Sequence, residues 1–237
     1  MSATVTFTAD EMMAVSAARL LRDGTVCFVG IGLPSQAANL ARRTSAPGLV
    51  LVYESGTIGA KPTRLPLSIG DGELAETADA VVSVPEIFGY WLQSGRIDVG
   101  FLGAAQIDRH GNLNSTVIGS YDAPTVRLPG GGGAPEIALG VEQVFVMLRH
   151  SPRAFVERLD FTTSLGDNLR VVITDLGILE RWDGELTLVS VHPGVAVDDV
   201  RAATGWELRI AGDIAETEPP TGDELTALRA LKTKGRD

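Results

Sequence analysis

The chain has 237 residues, 44% of them hydrophobic, 21% charged and only 5% aromatic, and its formal net charge is −10. Those proportions fit a globular protein rather than a disordered one, and the acidic balance, with no basic patch to offset it, repels nucleic-acid backbones and anionic membranes. Cys27 is the only cysteine, so no internal disulfide is available; without a secretory pattern or an apolar stretch near the ~20 residues of a membrane span, the expected setting is the reducing cytoplasm.

Thr8-Ala-Asp-Glu11 has the form of a capping box, and apolar residues at Met12, Met13, Ala17, Leu20 and Leu21 recur at helical spacing, predicting a helix to about Arg22. Val26 to Val29 reads as a strand covered on both faces, with Cys27 as a small buried hydrophobe. A second helix is expected from Ser35 to Arg43, with Pro34 near its start, and a second strand from Leu49 to Tyr53. After a glycine-rich polar stretch come a short strand at Ala80 to Val84 and a helix opened by Pro85, with Ile87, Phe88, Trp91 and Leu92 on one face. Val99 to Leu102 reads as another buried strand, followed by a turn at Arg109-His-Gly-Asn112.

Strands interleaved with helices point to an α/β fold, a mainly parallel open sheet with flanking helices. The second half is richer in strands, at Asn114 to Ile118, Val144 to Leu148, Val171 to Thr174, Leu186 to Val191 and Glu207 to Ile210. Helices are expected at Asp198 to Thr204 and at Thr221 to Lys232, the latter opened by a second capping box, Thr221-Gly-Asp-Glu224.

Glu54 ends the apolar run Leu49-Val-Leu-Val-Tyr53 and precedes Ser55-Gly56, so a buried strand delivers one carboxylate into a tight turn. Carried off a strand end beside flexible backbone, such a group can meet a substrate in a cleft shielded from water, as a nucleophile must. Gly30 and Gly32 lie in a strand-to-helix turn whose amides can line a pocket, but Ser35 and Pro34 break the dinucleotide fingerprint. Four consecutive glycines, Gly130 to Gly133, cost backbone entropy and are most easily explained where a substrate approaches main-chain N–H groups. The three histidines, His110, His150 and His192, show no ligand spacing, so no metal site is expected, and Ser55 lacks a nucleophile-elbow context.

Gly30-Ile-Gly-Leu-Pro34, Tyr53-Glu-Ser-Gly56, Leu102-Gly-Ala-Ala-Gln-Ile-Asp-Arg-His-Gly-Asn112 and Leu128-Pro-Gly-Gly-Gly-Gly-Ala-Pro-Glu136 together resemble the β-subunit half of the family I CoA-transferases, glutaconate-transferase type. Lys61-Pro62, Leu65 to Asp79 and Tyr90-Trp-Leu-Gln93 extend the likeness over most of the chain. The resemblance implies one β-subunit domain over 1–237 and transfer of CoA from succinyl-CoA to 3-oxoadipate, with the CoA thioester as substrate and no further cofactor. It assigns the nucleophile to Glu54 and oxyanion donors to Gly132 and Gly133; a 3-oxo dicarboxylate also needs a cation for its far carboxylate, for which Lys61 and Arg64 lie close after Glu54, Lys61 being the first choice. The resemblance also implies a homologous α subunit in a heterodimer or heterotetramer. The alternatives are a transferase for another dicarboxylate such as glutaconate, a ring-opening hydrolase subunit of the same fold, and a non-catalytic ligand-binding module. The segment between Ser164 and Leu169 is shorter than in chains of this type.

Overall fold

The computed structural model describes residues 6–233, and its first helix begins where the sequence places a cap. The Thr8 hydroxyl accepts from the Glu11 amide at 3.2 Å while the Glu11 carboxylate accepts from the Thr8 amide at 2.9 Å, closing the capping box of α1 (Ala9–Leu20). There follow β1 (Val26–Phe28), α2 (Leu33–Arg43), β2 (Val50–Val52), β3 (Thr57–Ile58), α3 (Gly72–Glu76) and β4 (Ala80–Val81). A single helical turn, α4 (Val84–Glu86), runs into a π-helical stretch at Ile87–Leu92, and β5 (Val99–Leu102) comes next.

The chain divides into two compact units, one running to Phe101 and resuming at Pro219, the other spanning Leu102–Glu218. In the first unit the strand order is β5-β1-β2-β3-β4, with β1 parallel to both neighbours and β2-β3-β4 antiparallel. Cys27, Leu51 and Val52 are fully buried at its centre, as the apolar runs require. The edge strand β4 is different, with Val81 60% exposed and the neighbouring Val84 49% exposed.

The second unit opens with two hairpins, β6 (Gln106–Ile107) with β7 (Leu113–Asn114) and β8 (Val117–Gly119) with β9 (Pro124–Arg127). Then come α5 (Ala134–Gly140), β10 (Gln143–Met147), β11 (Leu169–Ile173), β12 (Gly177–Trp182), β13 (Glu185–Val191), α6 (Val197–Ala202) and β14 (Arg209–Glu216). The order β14-β13-β12-β11-β10 has parallel pairs at each end and antiparallel pairing through β11-β12-β13. The expected α/β class with flanking helices and a strand-rich second half is present, and the strand pairing is mixed. The short Ser164 to Leu169 segment is tied down, the Gly166 amide donating to the Asn112 side chain at 3.0 Å.

Two expected elements take another form for local reasons. The strand expected at Asn114 to Ile118 breaks because the buried Asn114 side chain donates to Gln106 and to the Val117 carbonyl, each at 2.7 Å, and accepts from the Thr116 amide. Such side-chain bonds compete with the ladder. The helix opened by Pro85 widens into π geometry, which still buries Ile87 and Leu92 but leaves Tyr90 69% exposed.

The last helix, α7 (Gly222–Thr233), returns to the first unit and packs on α1 and α2. Two ion pairs fasten it to α1: Arg19 with Glu224 at 2.8 Å, and Arg229 with Glu11 at 2.7 Å. The Arg229 guanidinium holds the Glu11 carboxyl down to about 2, from an ordinary value of 4.5. A carboxylate depressed in the folded state stabilises fully above its unfolded pKa and loses that contribution as pH falls toward the folded value. Urea denaturation between pH 4.5 and pH 2 should show wild-type stability falling, whereas Glu11→Gln should start lower at neutral pH and decline less over that window.

Candidate active site

The turn that carries Glu54 is the tip of the β2–β3 hairpin. The Gly56 amide donates to the Tyr53 carbonyl and the Tyr53 amide to the Thr57 carbonyl, both at 3.0 Å, so Glu54 and Ser55 occupy the two central positions of a closed turn. Gly56 follows with φ of +106°, completing a three-residue loop with a glycine bulge. A side chain there is excluded twice, by the backbone angle and by the Val82 carbonyl, which would lie 1.9 Å from a Cβ. The Gly56 carbonyl in turn accepts from the Val82 amide at 2.9 Å, clamping the turn to the chain beyond β4. Glu54 itself is half-buried, and among the described residues none makes a hydrogen bond or ion pair with its carboxylate.

Parallel register sets what lies beside that turn. Phe28 pairs with Val52 and the Val29 amide donates to the Val52 carbonyl at 2.9 Å, so the Gly30-Ile-Gly32 turn leaves the sheet at the same edge as Glu54. This is the carboxyl edge, where α/β sheets receive ligands. Gly32 has φ of +88° and starts α2 without a side-chain cap, and the first turn of α2 holds no acidic residue. An uncapped helix start of this kind suits an anionic oxygen.

Beneath the turn lies a polar cluster that sequence reasoning missed. Tyr53 is fully buried, and burial pushes its phenol pKa up. Its hydroxyl approaches Ser35 and Asn39 of α2, both buried, without reaching hydrogen-bonding geometry with either, while the Asn39 side-chain Nδ2 donates to the Ser35 carbonyl at 2.9 Å. The signal was present as a Ser and an Asn spaced i, i+4 in a helix whose other buried residues are Ala37, Ala38, Leu40 and Ala41.

Lys61 is exposed, and its ammonium is engaged by Asp79. Arg64 is committed more firmly, with both carboxylate oxygens of Asp71 at 2.8 and 3.0 Å and Glu73 at 3.1 Å. That guanidinium, helped by the Leu67 amide, holds the Asp71 carboxyl down to about 2.

In the second unit the glycine run continues the β8–β9 hairpin. The Gly130 amide donates to the Ser115 carbonyl at 2.9 Å and the Ser115 hydroxyl to the Gly130 carbonyl at 3.0 Å, so Gly130 is anchored. The amides of Gly131, Gly132 and Gly133 donate to no acceptor among the described residues. Gly132 has φ of +52° and open space where a Cβ would stand, and Gly133 caps α5. Adjacent free N–H groups can receive an oxyanion.

The histidines that looked unrelated in sequence partly converge in this unit. His150 Nε2 lies 2.9 Å from the Thr204 hydroxyl and its ring stacks on Phe155 at 3.6 Å, while His192 Nε2 lies 2.8 Å from the Thr174 carbonyl. Burial lowers the His150 pKa to about 4, the mark of a neutral core histidine. Among the described residues no group of His, Cys, Asp and Glu is arranged to hold a metal ion, and no helix is long and apolar enough to cross a membrane.

A sequence model of coenzyme A transferases matches residues 10–203. The chain belongs to the coenzyme A transferase family. It is 58% identical to the B subunit of 3-oxoadipate CoA-transferase from Pseudomonas knackmussii, an alignment covering 96% of this chain and 94% of that protein. The crystal structure of glutaconate coenzyme A-transferase from Acidaminococcus fermentans superposes with a TM-score of 0.89 at 30% identity, covering 98% of this chain and 96% of that one. A more distant relative, at 28% identity and 93% coverage of both chains, is the cholesterol ring-cleaving hydrolase IpdB subunit of Mycobacterium tuberculosis. The Glu54 turn, the Gly30 turn and the glycine run all lie within the part of this CoA-transferase chain that the family model spans.

The clamp on Gly56 carries a direct test. Gly56→Ala should destabilise the protein by ~3 kcal/mol or more through backbone strain and the clash with Val82, read as a lowered thermal midpoint.

Proposed function

We propose that this chain is the B subunit of a 3-oxoadipate CoA-transferase, with Glu54 as nucleophile. The observation that carries the chemical part is the half-buried Glu54 carboxylate, locked at a hairpin tip and left without a protein partner among the described residues. The choice of acids rests on the 58% identity to the B subunit of a 3-oxoadipate CoA-transferase, spread over nearly the whole length of both chains.

A Glu54 oxygen attacks the thioester carbonyl carbon of succinyl-CoA, the C–S bond breaks, and CoA leaves as thiolate from a mixed anhydride. The thiolate then attacks the glutamyl carbonyl of that anhydride, releasing succinate and leaving a glutamyl-CoA thioester. 3-Oxoadipate runs the same two steps in reverse. The anhydride keeps the activation of the thioester, which free water would waste, so exclusion of water matters as much as nucleophilicity.

Charge collects on the thioester carbonyl oxygen, and the unused amides of Gly132 and Gly133 are the donors we assign to it. Gly30 and Gly32 contribute main-chain surface to the substrate. Lys61 is the cation assigned to the far carboxylate of the acceptor, which would take the place of the exposed Asp79 carboxylate. The CoA thioester is substrate, and the scheme uses no further cofactor.

A homologous α subunit completes the enzyme, in a heterodimer or heterotetramer, and residues 1–237 act as one β-subunit domain in the cytoplasm. The relatives named as subunits support the part of this reading that concerns a partner chain.

Glu54→Ala, co-expressed with the α subunit, should assemble normally and lose exchange between succinyl-CoA and 3-oxoadipate by at least ~10³-fold. In the wild-type complex, hydroxylamine after incubation with succinyl-CoA should modify Glu54. Full turnover by the variant would end the assignment, and absence of any hydroxylamine-trapped acyl-enzyme on this chain would favour the ring-opening hydrolase alternative. Lys61→Ala should raise the KM for 3-oxoadipate and leave the KM for succinyl-CoA unchanged.

A further inference from the structure

The free amides of Gly132 and Gly133 occupy a turn of their own. The Ala134 amide donates to the Gly131 carbonyl at 2.9 Å, making Gly132 and Gly133 the two central residues. Their angles, φ of +52° at Gly132 and φ of −84° with ψ of 0° at Gly133, belong to a type II′ turn. On the far side the Ile137 amide donates to the Gly133 carbonyl at 2.9 Å, so α5 holds that end. Gly131, on the near side, answers to space instead of backbone angle: a Cβ there would meet the Thr163 methyl at 3.2 Å and the Pro135 ring at 3.4 Å.

Thr163 lies in neither helix nor strand, yet it is firmly held. Its amide donates to the Leu113 carbonyl at 2.8 Å, and the Leu113 amide donates to the Ser164 carbonyl at 2.9 Å. Its hydroxyl oxygen accepts from the Ser115 amide at 2.9 Å and lies 2.7 Å from the Thr116 hydroxyl. Ser115 is the residue whose hydroxyl and carbonyl clamp Gly130. Thr163 therefore reaches the glycine run twice, through its methyl at Gly131 and through Ser115 at Gly130.

That double hold matters because of what the run is made of. Consecutive glycines have the most backbone freedom to lose, and donors stabilise developing charge only when they are aimed before the reaction begins. The hydrogen bond between Gly131 and Ala134 fixes the shape of the turn, and its place is fixed by its two attachments. One is α5, and the other runs through Ser115 to Thr163.

We propose that Thr163 is a positioning residue of the transfer reaction: through the Ser115 amide its hydroxyl keeps the Gly132 and Gly133 amides in place for the thioester carbonyl oxygen. The inference rests on the oxyanion reading of those amides given above and deepens it by naming what aims them. Thr163 touches no reacting atom in this scheme. Loss of its hydroxyl leaves the Ser115 amide without its acceptor, loosens Gly130 and lets the turn drift. Oxyanion stabilisation then falls while ground-state binding does not, so the cost is read in kcat and not in KM.

The test uses the co-expressed two-subunit enzyme with Thr163→Val, which keeps the shape and removes the hydroxyl, and Thr163→Ser, which keeps the hydroxyl. Thr163→Val should lower kcat for exchange between succinyl-CoA and 3-oxoadipate about tenfold or more, with both KM values unchanged. Thr163→Ser should run close to the wild-type rate. Ser115→Ala, which cuts the link to Gly130 from the other end, should repeat the kcat loss. A Thr163→Val enzyme with a lowered thermal midpoint but wild-type kcat has lost only a structural prop, and that result would overturn the proposal. So would a raised KM at unchanged kcat, or a kcat loss that Thr163→Ser shares in full. Should Thr163→Val fail to assemble with the α subunit, Ser115→Ala decides: wild-type kcat there overturns the proposal, and a kcat loss at unchanged KM upholds it. Gly133→Pro separates this inference from the reading beneath it, because φ of −84° lies near the range proline adopts and the substitution deletes one of the two donors. It should lower kcat about 10²-fold. Wild-type kcat in that variant would remove the oxyanion reading itself, whereas a slow Gly133→Pro beside a fully active Thr163→Val removes only the role of Thr163.

Discussion

The parallel pairing of β1 with β2 is the constraint on which the Glu54 turn depends. Three residues of register, Val26 to Phe28 against Val50 to Val52, decide that the chain leaves both strands at the same edge. A slip of one residue would turn Tyr53 and its neighbours to the opposite face. The Tyr53 ring would then lose its buried place against α2, and the Gly56 turn would lose the Val82 amide that clamps it. The half-buried carboxylate is held at the hairpin tip because the turn is fixed at both ends: Tyr53 by burial, Gly56 by a backbone angle that only glycine adopts comfortably.

The same economy governs the second unit. Ser115 fixes Gly130 by a reciprocal pair of hydrogen bonds, and the following three residues keep their amides free. An anchored first glycine and a helix cap at Gly133 give a loop that is glycine-rich without being slack. At Gly132 packing would not exclude a side chain, and the positive φ alone accounts for glycine there.

Much of this was legible in the sequence, and the misses have physical causes. Capping boxes are short-range and chemically specific, so the starts of α1 and α7 were readable from Thr8-x-x-Glu11 and Thr221-x-x-Glu224. Buried strands β1, β2 and β5 were readable because β-branched runs covered on both faces leave little alternative. By contrast β9 has exposed Thr125, Val126 and Arg127, and β12 breaks its alternation with the adjacent charges Glu180 and Arg181. Their pairing is set by neighbours distant in sequence, which local pattern cannot see. For the candidate site, Glu54 and the glycine run stood out because their residue types are costly where they lie. The Ser35, Asn39 and Tyr53 cluster and the convergence of His150 with His192 on Thr174 needed the fold to bring separate elements together.

One feature of the first unit bears on how such a chain is handled by the cell. The β4 edge is two residues long, with Val81 60% exposed, and the Ser83 capping box turns the chain into a helical turn directly after it. An edge strand so short leaves little template on which identical chains can stack strand against strand. Its brevity therefore limits edge-to-edge association of newly synthesised copies despite the exposed valine.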